Sequence, residues 1–229
     1  MRNPLIPIAL ILSFAITCTA SGAGGGQMPS PMPSQARESL TPEDQARNDY
    51  NAGVRLIEKA DQLATDAMHQ ADEHKKTKAL SKADQAYATA MKKFAHATEL
   101  QPSNYQAWNY IGYANRKLGK YDAALSAYDH ALRLKPDYAE AIEYRGHAYL
   151  GLNRLSDAKE AYLALFSGNR KLAATLLAAM QEWVGDHRAS SAGVDGVTLE
   201  SFASWVSERS TIASQTASLT REGATSSWH

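Results

Sequence analysis

The chain has 229 residues, of which 44% are hydrophobic and 8% aromatic, enough for one or at most two compact domains with an apolar core. Lys plus Arg and Asp plus Glu each total 24, so the formal net charge is zero. This balance argues against charge-driven binding to nucleic acid or to an anionic membrane surface.

Residues 1–20 have the layout of an export signal, with Arg2 as a positive start and an uncharged apolar run that follows from Leu5 to Thr17. The run is shorter than the roughly 20 apolar residues that a helix needs to cross a membrane, and Pro7 interrupts it. We therefore expect export to the periplasm, with attachment to the outer membrane or secretion as further possibilities, and no transmembrane span.

Two processing routes remain open for this signal. Residues 21–23 are small and resemble a signal peptidase site, whereas residues 15–18 resemble an imperfect bacterial lipobox in which Cys18 would carry the lipid anchor. Cys18 is the only cysteine, so no disulfide forms within the mature chain.

Residues 21–43 are rich in Gly, Ser and Pro and lack apolar periodicity, which is typical of a disordered tether. A helix is predicted to begin after it, because Thr41 is a good N-cap residue and Pro42 suits the first helical position. From there to about residue 186 the apolar spacing is helical, which predicts an all-α fold.

A repeat with a period of about 34 residues runs through this helical part. Sliding the sequence over itself by one period aligns residues of the same type: Ala90 with Ala124 and Ala158, Phe94 with Tyr128 and Tyr162, Gly112 with Gly146, and Pro102 with Pro136. Such a period predicts helical hairpins stacked into a solenoid.

The segment from Tyr105 to Pro136, YQAWNYIGYANRKLGKYDAALSAYDHALRLKP, resembles a tetratricopeptide repeat (TPR). We expect Trp108 and Ile111 to face the second helix of their own pair and Gly112 to leave room for it. The residues that we assign to the structural repeat are Trp108, Gly112, Ala124, Tyr128, Ala131, Pro136, Gly146, Ala158 and Tyr162.

About three repeats are predicted over residues 44–168, followed by a capping helix over 169–188. In the first repeat no glycine stands at the expected place, and Asn51, Ala52 and Gly53 look like the missing element, displaced by about 25 residues. This displacement predicts an elongated hairpin with helices near 44–73 and 77–100. Residues 189–229 are predicted to hold a short helix, about 198–214, and a disordered tail.

We find no constellation for catalysis, for a metal or for another cofactor. The seven histidines lack the spacing of metal ligands and are interpreted as solvated surface residues. Glu140 and Glu143 lie three residues apart and could be imagined as an acid/base pair, but on a surface helix such carboxylates are more often solvated.

The TPR resemblance implies that partners bind in the concave groove lined by the first helix of each pair. Transferred by position, the groove residues are Gln106, Asn109, Tyr110, Tyr113, Arg116, Lys117, Glu140, Glu143, Tyr144 and His147. This composition suits an extended peptide or a partner helix. Because the last repeat offers Glu140 and Tyr144 in place of asparagine and basic residues, the clamp that some TPR domains use for a C-terminal carboxylate is disfavoured.

Three hypotheses follow for function. The first is a non-catalytic protein-binding scaffold or adaptor of the bacterial cell envelope. The second is a self-association module, in which the apolar stripe from Leu199 to Val206 docks into the groove of the same or a neighbouring chain. The third, an enzyme, would require Glu140, Glu143 and His147 to meet in an enclosed pocket.

Overall fold

The computed structural model describes residues 40–190 and 193–225 of the chain. The predicted export signal, Cys18 and most of the predicted tether lie outside these residues.

The described residues form eight α-helices and no β-strand, which confirms the predicted all-α fold class. In chain order the helices are α1 (Pro42–Met68), α2 (Glu73–Leu100), α3 (Tyr105–Lys117), α4 (Tyr121–Leu134), α5 (Ala139–Gly151), α6 (Leu155–Gly168), α7 (Arg170–Ser190) and α8 (Gly196–Thr225).

Helices α1 and α2 form the elongated first hairpin. The Thr41 side chain accepts a hydrogen bond from the Asp44 N–H at 3.1 Å, which fixes the start of α1. The turn falls earlier than predicted, because the Asp72 carboxylate accepts from the Lys75 N–H at 3.0 Å and thereby caps α2. Consequently α1 ends at Met68 and not near residue 73.

Close approach of the paired helices depends on one glycine in each of the first two hairpins. A Cβ atom on Gly53 would lie 2.7 Å from the Phe94 ring, and one on Gly112 would lie 2.4 Å from the Tyr128 ring. The displaced glycine therefore does in the long hairpin what Gly112 does in the matched short one.

The α3–α4 pair is held by aromatic packing. Trp108 stacks on His130 of α4, with ring centroids 3.9 Å apart, and Tyr128 is completely buried. Ile111 packs against the apolar cluster shared by α1, α2 and α3, whereas the prediction had paired it only with α4. Four other residues of the repeat are buried at helix contacts: Ala124, Ala131, Ala158 and Tyr162. The exposed Pro136 follows the end of α4.

The turns inside the second and third hairpins share one backbone feature. Gly119 has φ +71°, and Asn153, at the matching place of the next repeat, has φ +57°. Glycine and asparagine are the residues that adopt this left-handed conformation most readily. The sequence thus places a tolerant residue at each turn.

Helix α7 continues the stack. It packs on both α5 and α6, and a Cβ atom on Gly146 would lie 2.6 Å from Leu176 of α7. Leu165, which is larger than the residue usual at its place in the repeat, is buried in the cluster that α7 completes. Helix α7 therefore occupies the place that the first helix of a further pair would take.

Helix α8 corrects the prediction of a short helix over 198–214, since it runs from Gly196 to Thr225. It begins earlier because the Asp195 carboxylate accepts from the N–H groups of Val197 and Thr198 at 3.1 and 2.9 Å. Its apolar stripe extends to Ala213, which packs against the last core cluster, and the helix continues beyond this stripe to Thr225.

The stripe on α8 is buried within the chain itself. Phe202 meets Trp183 of α7 edge to face at 5.3 Å, and Trp205 meets Tyr162 of α6 at 5.5 Å. Leu199 and Val206 are also buried in this cluster. In this structure, therefore, the stripe proposed for docking into a groove packs against the chain's own α6 and α7.

None of the helices in residues 40–190 and 193–225 combines the length and apolar character needed to cross a membrane.

Candidate functional site

The first helices of successive pairs form a continuous inner wall. Helix α1 contacts α3, α3 contacts α5, and α5 contacts α7. The second helices α2, α4 and α6 make no comparably extensive contact with one another in the described residues. The first helices therefore lie on the shorter, inner side of a curved stack, as in other helical solenoids.

Asp61 of α1 anchors the middle of this wall. Its carboxylate accepts hydrogen bonds from the hydroxyl groups of Tyr87 at 2.5 Å and Tyr113 at 2.9 Å. Lys117 adds an ion pair at 3.7 Å. Burial, followed by the Asp61 charge, raises the pKa of Tyr113, so its hydroxyl stays protonated and donating at neutral pH. The network fixes the orientation of two predicted groove residues, Tyr113 and Lys117.

Arg116 lies across the wall at the same level. Its guanidinium carbon is 5.1 Å from the ring centroid of Tyr113 and 5.5 Å from that of Tyr144. The two rings are 5.1 Å apart. Arg116 makes no ion pair among the described residues, and its buried Nε has no hydrogen-bond partner, so its charge is held chiefly by aromatic faces.

Two predicted groove residues lie beneath the wall and not on it. Glu143 is only 3% exposed, and its carboxylate lies 2.7 Å from Nε2 of His147. Asn109 is only 2% exposed. Both sit too deep to touch a partner directly. Burial, followed by the Glu143 charge, raises the pKa of the neighbouring Tyr144 to about 12.

Aromatic residues also line the end of the groove nearest the helix N-termini. Tyr110 stacks on Phe94 at 4.9 Å and meets Tyr50 of α1 edge to face at 5.9 Å. Burial, followed by the charge of Glu58, raises the Tyr110 pKa. The other predicted residues of this region differ in exposure, with Gln106 half-buried and Glu140 exposed.

The opposite end of the groove opens into a cavity of about 340 Å³ between the C-terminal parts of α3, α5 and α7. Arg116, Lys117 and His147 line one side, and Glu182 and Asp186 of α7 line the other. These two carboxylates are absent from the predicted groove because the sequence pattern indicates only a capping role for α7. Asp61 is absent from it as well, since the elongated α1 lies outside the register of about 34 residues.

Three histidines make closer contacts with neighbouring side chains than predicted. His130 and His187 stack on Trp108 and Trp183, and His147 is bound to Glu143. The interpretation as solvated surface histidines is therefore wrong for these three, because two of them stack on tryptophan rings and the third contacts a carboxylate. Among the residues that the structure describes, no group of three or more His, Cys, Asp or Glu side chains could hold a metal ion.

The two carboxylates considered as an acid/base pair do not share an environment. Glu140 is exposed to solvent, whereas Glu143 is buried against His147. The inner wall is thus an open surface of tyrosines and charged groups, suited to reversible contact with a chain laid along it.

Residues 105–138 match the model of the family described as Tetratricopeptide repeat. The match covers α3, α4 and the turn after them, the same segment that the repeat pattern picked out.

Three similar solved structures are TPR domains of RPAP3. The second domain of the human protein, in complex with the HSP70 peptide SGPTIEEVD, is 21% identical, covering 60% of this chain and 96% of that domain with a TM-score of 0.45. The first human domain is 20% identical, covering 62% and 98%, with a TM-score of 0.43. The first TPR of Spaghetti (RPAP3), bound to the HSP90 peptide SRMEEVD, is 20% identical, covering 58% and 97%, with a TM-score of 0.41. No curated protein shows significant similarity to the chain.

Proposed function

We propose that this chain is a non-catalytic scaffold or adaptor of the bacterial cell envelope that binds an extended peptide or a partner helix along its inner wall. The observation that carries this proposal is the contact between the Tyr113 and Tyr144 rings on the inner wall, crossed by Arg116, which has no ion-pair partner among the described residues. Tyr110, stacked on Phe94, lies further along the same wall. Aromatic and arginine side chains are the types that contribute most binding energy at protein interfaces.

The rigidity of the wall supports the same proposal. Tyr113 is tied to Asp61, and Tyr144 is packed between Tyr113 and Tyr128. Side chains that are already ordered lose little conformational entropy when a partner binds, so more of the contact energy appears as affinity. The role in the envelope rests on the export-signal layout of residues 1–20.

Site-specific photo-crosslinking tests the location of the binding surface. A photoreactive amino acid replaces the half-buried groove residue Gln106 in one variant and Glu160 in a second variant, so that Arg116 stays in place in both. Glu160 lines a separate cavity of about 400 Å³ with Leu132, Tyr149 and Ala164. In envelope extracts we expect discrete adducts from position 106 and none from position 160.

Affinity capture with Tyr113→Ala, Arg116→Ala provides an independent measurement. We expect the double variant to lose the partners that the wild-type chain retains, while thermal unfolding shows that it is still folded. Equal capture by both proteins, together with adducts from position 160 alone, would refute the inner wall as the binding surface.

A further inference from the structure

The inner wall carries unpaired carboxylates at both ends. Glu58 of α1 and Glu140 of α5 are exposed and lie within electrostatic reach of Tyr110 at one end, and Glu182 and Asp186 of α7 line the cavity at the other end. None of the four side chains forms an ion pair with another described residue. Three separate helices thus contribute carboxylates without an ion-pair partner to the two ends of one groove.

The positively charged side chains of the groove do not pair with these four carboxylates. Lys117 is paired with Asp61, and His147 lies against Glu143, whose carboxylate is buried. Arg116 is the unpaired cation at the centre, and Lys135 lies near the N-terminal end, above the Tyr105 ring at 5.0 Å. Acidic groups therefore flank a central arginine.

Aromatic rings accompany the acidic groups. At the N-terminal end Tyr110 lies within the electrostatic reach of both Glu58 and Glu140, with Tyr50 beside it. The chain already places cations over such rings, since Arg116 covers Tyr113 and Lys117 lies 5.8 Å from the Tyr87 ring. A carboxylate and an aromatic face each attract a guanidinium or ammonium group. A site that holds the two side by side therefore suits such a cation.

We propose that the groove selects a basic segment: an extended peptide with two arginine or lysine side chains, one at each acidic end, and backbone carbonyl groups facing Arg116. The separation of the two basic residues in the peptide follows from the geometry of the helices. Glu140 and His147 are about 10 Å apart along α5, and Glu182 lies beyond His147 in the same cavity. An extended chain covers about 13 Å in four residues, so the two basic residues lie about four positions apart. This inference rests on the proposed peptide-binding function of the same groove.

Fluorescence anisotropy with the full chain and two synthetic peptides tests whether the groove prefers a basic segment. Both are labelled nine-residue peptides of glycine, serine and tyrosine; one carries two arginines four positions apart, and the other carries two glutamates at those positions. We expect the arginine peptide to bind at least about tenfold more tightly, with an affinity that falls as salt is raised.

Substitutions that remove the charge of the acidic residues test which carboxylates bind the arginine peptide. Glu58→Gln with Glu140→Gln, and separately Glu182→Gln with Asp186→Asn, are each expected to weaken the arginine peptide about three- to tenfold. Glu160→Gln, an exposed carboxylate on the other cavity, serves as the matched control and should leave binding unchanged.

Two results would overturn the selection for basic segments. If the glutamate peptide binds as tightly or more tightly, and Arg116→Ala abolishes that binding, the groove still binds peptides but this inference is wrong. If neither peptide binds, or no groove substitution changes binding while Glu160→Gln does, both the inference and the proposed groove fail.

Discussion

Replacing Gly112 with alanine tests whether the close α3–α4 contact holds the central hairpin together. Alanine in place of glycine inside a helix should by itself stabilise the fold by about 1 kcal/mol. At position 112, however, the new methyl group would lie 2.4 Å from a carbon of the Tyr128 ring, whereas carbon atoms prefer separations of about 3.5–4.0 Å. Tyr128 is 0% exposed, so its ring has no free space to enter.

The overlap should outweigh the gain in helix propensity. Overpacking of a filled core costs about 1–3 kcal/mol, and an overlap of about 1 Å with a buried ring belongs near the upper end of that range. The net loss is therefore about 2 kcal/mol, or about 4–8 °C in melting temperature for a protein of this size.

Thermal and urea unfolding of Gly112→Ala measure this loss, and Gly185→Ala is the matched control. Gly185 lies within α7, and a Cβ atom there would meet nothing within 4 Å, so this variant should gain up to about 1 kcal/mol. In a Tyr128→Leu background the penalty at position 112 should shrink. Equal stabilisation by both glycine substitutions would show that α4 does not approach α3 as described.

Three further predictions concern other contacts. Trp183→Phe removes the indole N–H donor to the Leu150 carbonyl at 3.0 Å and should lower the unfolding free energy by about 1–2 kcal/mol in urea titrations; an unchanged midpoint would contradict a net contribution from that bond. Asp49, whose pKa is lowered chiefly by the Lys93 hydrogen bond, stabilises the folded state above the unfolded-state pKa of about 3.9. Asp49→Asn should therefore cost about 0.5–1 kcal/mol at neutral pH, and the difference from wild type should shrink as pH falls below about 4 and through the lowered folded-state pKa; a difference that stays constant from about pH 5 down to the onset of acid unfolding would rule out this pairing. Deleting residues 196–229 should expose the α7 core surface, raise the binding of a hydrophobic dye and lower the melting temperature; a stable monomer with unchanged dye binding would show that α8 is dispensable.

The repeat pattern could be predicted because each of its positions has a local steric requirement. Gly112 and Tyr128 recur as a small residue opposite a large one, and Gly119 with Asn153 marks the turn, so spacing along the chain already encodes each hairpin. The same pattern indicated residues 51–53 despite their displacement, and the structure shows Gly53 opposite the Phe94 ring of the next helix.

The repeat pattern predicts only some of the residues of the candidate site. Transferring positions from the repeat identified Tyr113 and Arg116, but it also included Asn109 and Glu143, whose burial depends on how the neighbouring helices cover them. It omitted Asp61 because α1 lies outside the repeat register, and Glu182 because α7 was predicted only as a capping helix, although both helices complete the inner wall.

The sequence by itself determined the helices, the pairing of neighbours and the closeness of each pair, since these depend on residues near one another in the chain. The tertiary structure alone decided which polar groups meet across the wall and where α8 packs. Those contacts join residues as distant as Asp61 and Tyr113, or Trp183 and Leu150, and their geometry follows from the stacking of whole helices and not from any local pattern.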